Sequence, residues 1–508
     1  MSVQHTACTL ALRCSSTIQK ESQMPTHRPL YLTALAMAGT LLAPVAQADQ
    51  DFGQFVEQQL KSKSEKLFGI EKPLKDSAPL TSGAYRTAYQ KATDQVLVAQ
   101  GLKVEYVTRQ AANATDMLSF WPNAHSPTHL ISCVEGSRQL LANGKYNPSV
   151  QRIRLADGQV ETILRGMTSC DGIRTTAWGT VLATEETSSG GAYEILNPLT
   201  TTEQTVLDRT TGNVTDPSNI AKRAALPTMS WEGLAVLPSG VVIAGDELRP
   251  GTGGLDRDGG AIFKFIPAVP HNPASGPISQ LNQSPLVSGY VYALQVSCVN
   301  NTQQVGQGCE IGNAAWIMVN AATARADAHT AGATGYYRPE DLHEDPLYRD
   351  SNNPAAVRFC WTNTGNEDAM NYAEVVCGID AAPLVADPSQ RSVVVNRFVE
   401  GDTDFNSFDN LDFQPHTGNL YVIEDHENGD IFACLPDGAD RDHKTDGCVK
   451  ILSVKDSSAE PTGFIFDASG TTAYVSIQHS NDANMADVDG YPTDDLLKIS
   501  GFKVKVRH

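Results

Sequence analysis

Two stretches of this chain, 231–247 and 409–425, run through the same order of residues. Trp231-Glu232 leads into an apolar run, a turn glycine at Gly240, a second apolar run and then Asp246-Glu247. Asp409-Asn410 leads in the same way through Gly418 to Glu424-Asp425. Glu232 to Gly240 and Asn410 to Gly418 are both eight residues apart; Gly240 to Asp246 and Gly418 to Glu424 are both six. A third copy runs from Glu460 through Gly470 to Gln478-His479, and a half copy from Trp178-Gly179 to Glu185-Glu186. Each unit reads as two short strands around a tight turn, with ligand-type residues at both outer ends. Both ends of a hairpin lie on one side of it. Several hairpins standing around one axis would gather those side chains at one mouth.

The rest of the chain agrees with radial repetition. From about Val104 onward it consists of short β-rich runs broken by Gly, Pro, Asn and Asp, such as 129–135, 261–266, 357–362 and 391–395. Such a pattern predicts an all-β fold, and the recurring two-strand unit favours a β-propeller over a sandwich. Long loop insertions are expected at 251–260 and 437–447. Phe52, Phe55, Val56, Leu60 and Leu67 fall at helical spacing, predicting an N-terminal amphipathic helix. Residues 1–48 read as a targeting segment, with Met24 as the expected start, His27-Arg28 before an apolar run, and Ala46-Gln47-Ala48 as a small-x-small cleavage pattern. The apolar run is short for a span of ~20 residues, so an exported protein of the periplasm or medium is expected rather than an anchored one. The expected division is 1–48 removed, 49–103 a helical and extended lead-in, and 104–508 the propeller.

A formal net charge of −20 argues against nucleic acid and anionic membranes as partners and suits a chain that holds cations. A monomer is expected. Three cysteine pairs are near neighbours and are expected to close loops in an exported chain: Cys298 with Cys309, Cys360 with Cys377, and Cys434 with Cys448. Cys133 and Cys170 remain, either paired with each other or leaving Cys170 for another role.

The ligand-type residues are Glu135, Cys170, Glu185, Glu186, Glu232, Asp246, Glu247, Glu340, Asp341, Asp409, Glu424, Asp425 and Glu460. Carboxylates at that density in one mouth repel unless cations neutralise them. All-oxygen sites suit Ca²⁺, and an added thiolate shifts the preference toward a metal such as iron. In Arg338-Pro339-Glu340-Asp341, proline should hold Arg338 extended, so that Arg338 and Glu340 project to one side. Arginine is the side chain that grips phosphate oxygens with two donors. The acidic run 482–490 lacks the glutamate spacing of an EF-hand. No Gly-x-Ser-x-Gly elbow, Walker loop or His-Glu-x-x-His occurs.

At these residues the chain resembles the PhoX family of bacterial alkaline phosphatases. The resemblance runs from about Ser132 to His479 through Ser132-Cys-Val-Glu135, Ser169-Cys170-Asp-Gly, Trp178 to Glu186, Trp231-Glu232-Gly, Gly245-Asp246-Glu247, Tyr337 to Asp341, Asp409-Asn410-Leu and Glu460-Pro-Thr-Gly463. It implies a six-bladed propeller whose mouth holds Fe³⁺ and Ca²⁺, with Cys170, Glu232 and Glu340 as iron ligands. Glu135, Glu185, Asp246, Glu424 and Glu460 would complete the metal shell. Arg338 would contact the phosphate of a small phosphate monoester. The chain departs from the family pattern at Trp231, where a histidine is usual, and at Cys133-Val134, where Asn-His is usual. The alternatives are a calcium-dependent propeller lactonase or esterase, and a non-catalytic secreted propeller that binds calcium.

Overall fold

The β-branched and aromatic runs that recur every ten or so residues fold as antiparallel strands, each turned back at a glycine or an Asx-rich corner. The computed structural model describes residues 52–250, 259–296, 310–436, 447–478, 480 and 484–504. Its strands pair into consecutive antiparallel meanders. The first is Thr115–Trp121, His129–Val134, Pro148–Arg154 and Val160–Arg165. The second is Cys170–Thr175, Thr180–Gly190, Ala192–Leu196 and Ile220–Lys222. Met229–Val236, Val242–Asp246, Ile262–Pro267 and Gly289–Val296 form the third. Pro339–Glu344, Val357–Asn363, Glu374–Asp380 and Val393–Glu400 form the fourth. The fifth is Phe408–Phe413, Leu420–Glu424, Asp430–Cys434 and Cys448–Val454. The last is Glu460–Phe466, Thr472–Gln478 and Thr493–Ser500, and its outer place is taken by Lys103–Ala112 from the start of the domain.

The first strand of each meander packs against the first strand of the next, and the last returns to the first, which closes a ring. This is a β-propeller, and the lead strand Lys103–Ala112 fastens its two ends. A buried ion pair reinforces that closure: Arg86 donates to Asp495 at 2.6 Å and to the Thr493 carbonyl at 2.5 Å, and Arg109 reaches the same carboxylate at 2.9 Å. The expected N-terminal helix is Phe52–Ser62, and Leu60, Phe68 and Ile70 from this region enter the core of the fifth and last meanders.

Between meanders the core is aromatic. Trp178, Trp231, Phe263 and Phe265 fill one interface, and Trp316, Tyr336, Phe359 and Trp361 another. Innermost strands are covered on both faces, so Met229–Val236 is buried from Met229 through Ala235 and shows no clean alternation. Lys264 stands within this core, fully buried. Its Nζ donates to Asp380 Oδ2 at 2.8 Å and to the Val385 carbonyl at 2.9 Å, while Trp316 Nε1 donates to the same Oδ2 at 2.9 Å.

Disulfides join Cys360 to Cys377 and Cys434 to Cys448, each across a pair of neighbouring strands, and Cys133 to Cys170 between the first two meanders. Cys298 and Cys309, the expected targeting segment 1–48, residues 251–258 and 437–446 of the expected insertions, and His479 lie outside the described residues. In the acidic run near 489, Asp489 is held by Arg165 and Lys145, so its role here is an ion pair.

Removing one partner of a buried pair leaves the other charge unpaired, which typically costs about 3–5 kcal/mol. Lys264→Met should therefore lower unfolding free energy by roughly that amount, read from urea denaturation followed by tryptophan fluorescence. The double change with Asp380→Asn should recover much of the loss.

Candidate metal centre

One backbone irregularity builds the site and is repeated around the ring. Each innermost strand slips register against its neighbour by a bulge: between Thr115 and Leu118, Cys170 and Ile173, Trp231 and Leu234, Pro339 and Leu342, Phe408 and Leu411, and Thr462 and Ile465. A bulge bends the strand and re-aims the extra side chain. In five of the six, the first bulged residue is an acid: Asp116, Asp171, Glu232, Glu340 and Asp409. In the last meander it is Gly463, at φ +61°, and the acid Glu460 stands three residues earlier. The second bulged residue has no room where strands approach most closely. A Cβ on Gly233 would lie 2.1 Å from Asp341 Oδ1, and one on Gly172 would lie 2.2 Å from the Glu232 carbonyl oxygen.

A second repeated feature supplies the outer acids. The amide of Glu135 donates to the carbonyl of Ala114, that of Glu186 to Ser169, Glu247 to Ser230, Thr364 to Arg338, and Asp425 to Ser407, at 2.6–3.1 Å. Each acceptor lies two residues before a bulged acid. Four of these acceptors, Ala114, Ser169, Arg338 and Ser407, have positive φ despite carrying side chains, a strained conformation that clusters at functional sites.

Together these features bring ligand oxygens of three triads within 4.8 Å of one another: Asp116, Glu135 and Asp171; Asp171, Glu186 and Glu232; and Glu232, Glu340 and Asp409. Shared members make this one continuous group. Burial, followed by the charge of Glu135, pushes the Asp116 carboxyl up to about 8. Burial raises Glu340 to about 8, with Arg338 opposing it. Burial and the charge of Asp425 raise Glu460 to about 9. Asp171, Glu186, Glu232 and Asp409 are raised for the same reasons, burial first and neighbouring carboxylates second. Asp171 Oδ1 and Glu232 Oε2 are buried and accept no hydrogen bond. Orphaned oxygens facing other carboxylates are the donor set of a multivalent cation, so the residues fit a metal cluster.

Arg338 is the cation in contact with this group. Its Nε donates to Glu247 at 2.7 Å, Nη1 to Asp425 at 3.0 Å, and Nη2 lies 3.0 Å from Glu340 Oε1. Burial works against its charge, but Glu340, Glu247 and Asp425 more than offset this and hold its pKa above the usual range. The proline rule predicts an extended Arg338. The observed φ of +55° corrects this, and the turned backbone still delivers the guanidinium to Glu340.

Of the residues expected in the metal shell, Glu135, Glu232 and Glu340 meet in the cluster, and Glu460 stands where the charges of Asp116 and Glu135 reach it. Glu185, Asp246 and Glu424 do not join it. Glu185 accepts from Arg209 at 2.7 and 3.1 Å and from the Thr168 and Gly191 amides. Asp246 is held by Arg325 at 2.6 and 2.8 Å and by the Ser230 amide. Glu424 accepts from the Asn406 and Asp430 amides, with His426 at 3.3 Å. In each case the next residue, Glu186, Glu247 or Asp425, turns toward the mouth instead; a step of one reverses the face in a strand. Cys170 is likewise corrected: its sulfur is bonded to Cys133, which removes the thiolate. Asp116 and Asp171 were absent from the expected set. Their signal is an acid, one residue, then an aliphatic, as in Asp116-Met-Leu118, Asp171-Gly-Ile173 and Glu232-Gly-Leu234.

A closed ring of antiparallel meanders with an acidic axial mouth defines a β-propeller with a candidate metal centre. A family model described as "Alkaline phosphatase PhoX" matches residues 251–481, a span that includes Arg338, Glu340, Asp409 and Glu460. Among solved structures the chain is similar to Pseudomonas fluorescens PhoX in complex with vanadate, a transition state analogue. That match has 14% identity and a TM-score of 0.54, and it covers 85% of this chain and 100% of the other. It is also similar, at TM-scores of 0.38 that bear on nothing further, to two other structures. One is the PQQ-bound aldose sugar dehydrogenase of Streptomyces coelicolor (11% identity, 78% and 98% covered), the other a putative gluconolactonase (11%, 84% and 100%). No curated protein matches the chain. The match to the PhoX family model is thus confined to residues 251–481, and the structural likeness shows the shared propeller fold.

The two kinds of acid separate by experiment. Glu232→Gln removes a ligand oxygen and should reduce the rise in melting temperature that added Ca²⁺ produces over chelated protein. Glu185→Gln should lower the melting temperature and leave the calcium response intact. The pH sign follows from the raised carboxyls: metal-free protein should lose stability as pH rises from about 5 toward 9, because the folded state releases these protons later than the unfolded chain.

Proposed function

We propose that this protein is an exported, metal-dependent phosphatase that hydrolyses small phosphate monoesters at the mouth of the propeller. The observation that carries the reading is the group of buried Asp116, Asp171, Glu232 and Glu340 with half-buried Glu135, Glu186 and Asp409, flanked by a guanidinium at Glu340. The match of residues 251–481 to the PhoX family model agrees with it. A phosphate ester is anionic, and these acids alone would repel it.

The acids would hold hard cations. Their oxygens suit Ca²⁺, and carboxylates also take Fe³⁺; with Cys170 in a disulfide, the donor set is oxygen alone. When bound, such cations reverse the local field and polarise phosphoryl oxygens as Lewis acids. The chain's own residues do the positioning. Thr364 Oγ1 donates to Glu340 Oε1 and orients that carboxylate. Glu247 and Asp425 fix the plane of the Arg338 fork, which would donate to the phosphoryl oxygens of a bound ester. Three disulfides suit an oxidising compartment and so support export.

Arg338→Lys keeps charge and loses the two-donor fork, so turnover of a chromogenic phosphomonoester should fall; Arg338→Ala should fall further, by roughly 10²–10³. Metal content should stay near that of wild type, since the acids remain. Rates within about twofold of wild type would remove Arg338 from the reaction.

A further inference from the structure

Three residues further along the innermost strands than the axial acids lies a second polar tier. Ser119 follows Asp116 by three positions, Arg174 follows Asp171, His343 follows Glu340 and Asp412 follows Asp409. In the third meander this position is Ala235, and in the last it is Phe466. The tier is bonded from meander to meander. Ser119 Oγ accepts from the Thr175 amide at 2.8 Å, which joins the first to the second. His343 Nδ1 lies 3.6 Å from Asp412 Oδ1, which joins the fourth to the fifth. Asp412 Oδ2 accepts from the Phe466 amide at 2.6 Å, which joins the fifth to the last.

Asp341 is the centre of this tier. It is buried, and although it ranks with the ligand-type residues by sequence, it is no member of the three triads. Its oxygens are held by N–H groups of the chain instead. Oδ1 accepts from Arg174 Nη2 at 2.9 Å and from the Leu342 amide at 2.7 Å, and Oδ2 accepts from the Leu411 amide at 3.2 Å. His343 Nε2 lies 3.0 Å from Oδ2 and 2.6 Å from the same Arg174 nitrogen. These donors come from the second, fourth and fifth meanders, and each follows a ring acid closely. Arg174 stands three residues after Asp171, Leu342 two after Glu340, and Leu411 two after Asp409. The third meander takes part by yielding space, because Gly233, next to Glu232, packs against the same carboxylate where a Cβ would not fit. One buried carboxylate thus ties together the backbone just behind Asp171, Glu232, Glu340 and Asp409. Every triad contains at least one of these four.

We propose that Asp341 is a positioning residue of the metal centre: through Arg174 and Leu411 it sets how far apart Asp171, Glu340 and Asp409 stand, and so how completely they enclose a cation. It acts on the spacing of the ligands and does not touch the ion. The inference rests on the metal reading of the axial acids. It also accounts for a carboxylate at this position, since an amide has one acceptor oxygen and could serve Arg174 or Leu411 but not both.

Tb³⁺, which takes oxygen ligands as Ca²⁺ does, tests the role on the full chain, with Trp231 beside Glu232 as sensitiser. Luminescence titration gives the affinity, and lifetimes in H₂O and D₂O count the waters on the ion. Asp341→Asn should weaken Tb³⁺ binding by roughly tenfold to a hundredfold, the usual cost of losing a group that orients metal ligands. It should also admit about one more water, although every ligand is still present. Arg174→Met should move both readouts the same way, and Arg174→Lys, which keeps a donor, should largely restore them. This second pair carries the test if Asp341→Asn does not fold. Lys264→Met, destabilised in the core outside the site, should keep wild-type affinity and water count, which separates positioning from loss of stability. Unchanged affinity and water count in Asp341→Asn and Arg174→Met, or equal changes in Lys264→Met, overturn the inference while Tb³⁺ binding by the wild type upholds the metal centre. Wild-type protein that binds no Tb³⁺ overturns the metal reading, and the positioning role with it.

Discussion

Mutual repulsion among buried carboxylates is the constraint on which the site depends. Seven acids chained through three close triads, two of them with an orphaned oxygen, are unfavourable unless something positive lies between them. The side chains do not choose this arrangement. The backbone imposes it, through a bulge on each innermost strand and an amide-to-carbonyl hydrogen bond that recurs in five meanders. The aromatic cores between meanders, the Arg86–Asp495–Arg109 closure and the disulfides make that backbone rigid enough to hold the charges together. Rigidity there keeps the acids together as one group.

The acids divide into two sets by a single step along the chain. Asp246 and Glu424 end their second strands, Glu185 lies within its own, and all three are saturated by cationic side chains or backbone amides. The residues that follow them, Glu186, Glu247 and Asp425, face the axis. Arg338 belongs to the axial set by backbone as well as by charge, because its left-handed turn is the one that Ala114, Ser169 and Ser407 also adopt. A guanidinium held by three carboxylates keeps its fork oriented without being locked in place by packing.

Much of this was legible in the sequence, for identifiable reasons. The period of the hairpins and the turn glycines located the strands, and the wealth of acids at their ends located the mouth. The register was less legible. Matching Glu232 to Asn410 through the turn glycines is off by one, because five residues separate Val236 from Val242 while six separate Phe413 from Leu420. The structural equivalent of Glu232 is Asp409. That slip cannot be seen without the pairing, and it sets Asn410 where the bulged acid Asp409 stands. Asp116 was missed because its hairpin lacks the turn glycine that marked the others. Cys170 was open in the sequence, since a thiolate ligand and a partner for Cys133 were both chemically reasonable; proximity of the first two meanders decides for the disulfide.

The central claim is that the axial acids exist to hold metal. Elemental analysis of protein purified without added ions, combined with its rate on a chromogenic phosphomonoester before and after exhaustive chelation, tests it most directly. More than one equivalent of metal per chain, including calcium, with activity lost on chelation and restored by the ions found, is the predicted result. Folded protein that contains no metal and turns over the ester at an undiminished rate would contradict it.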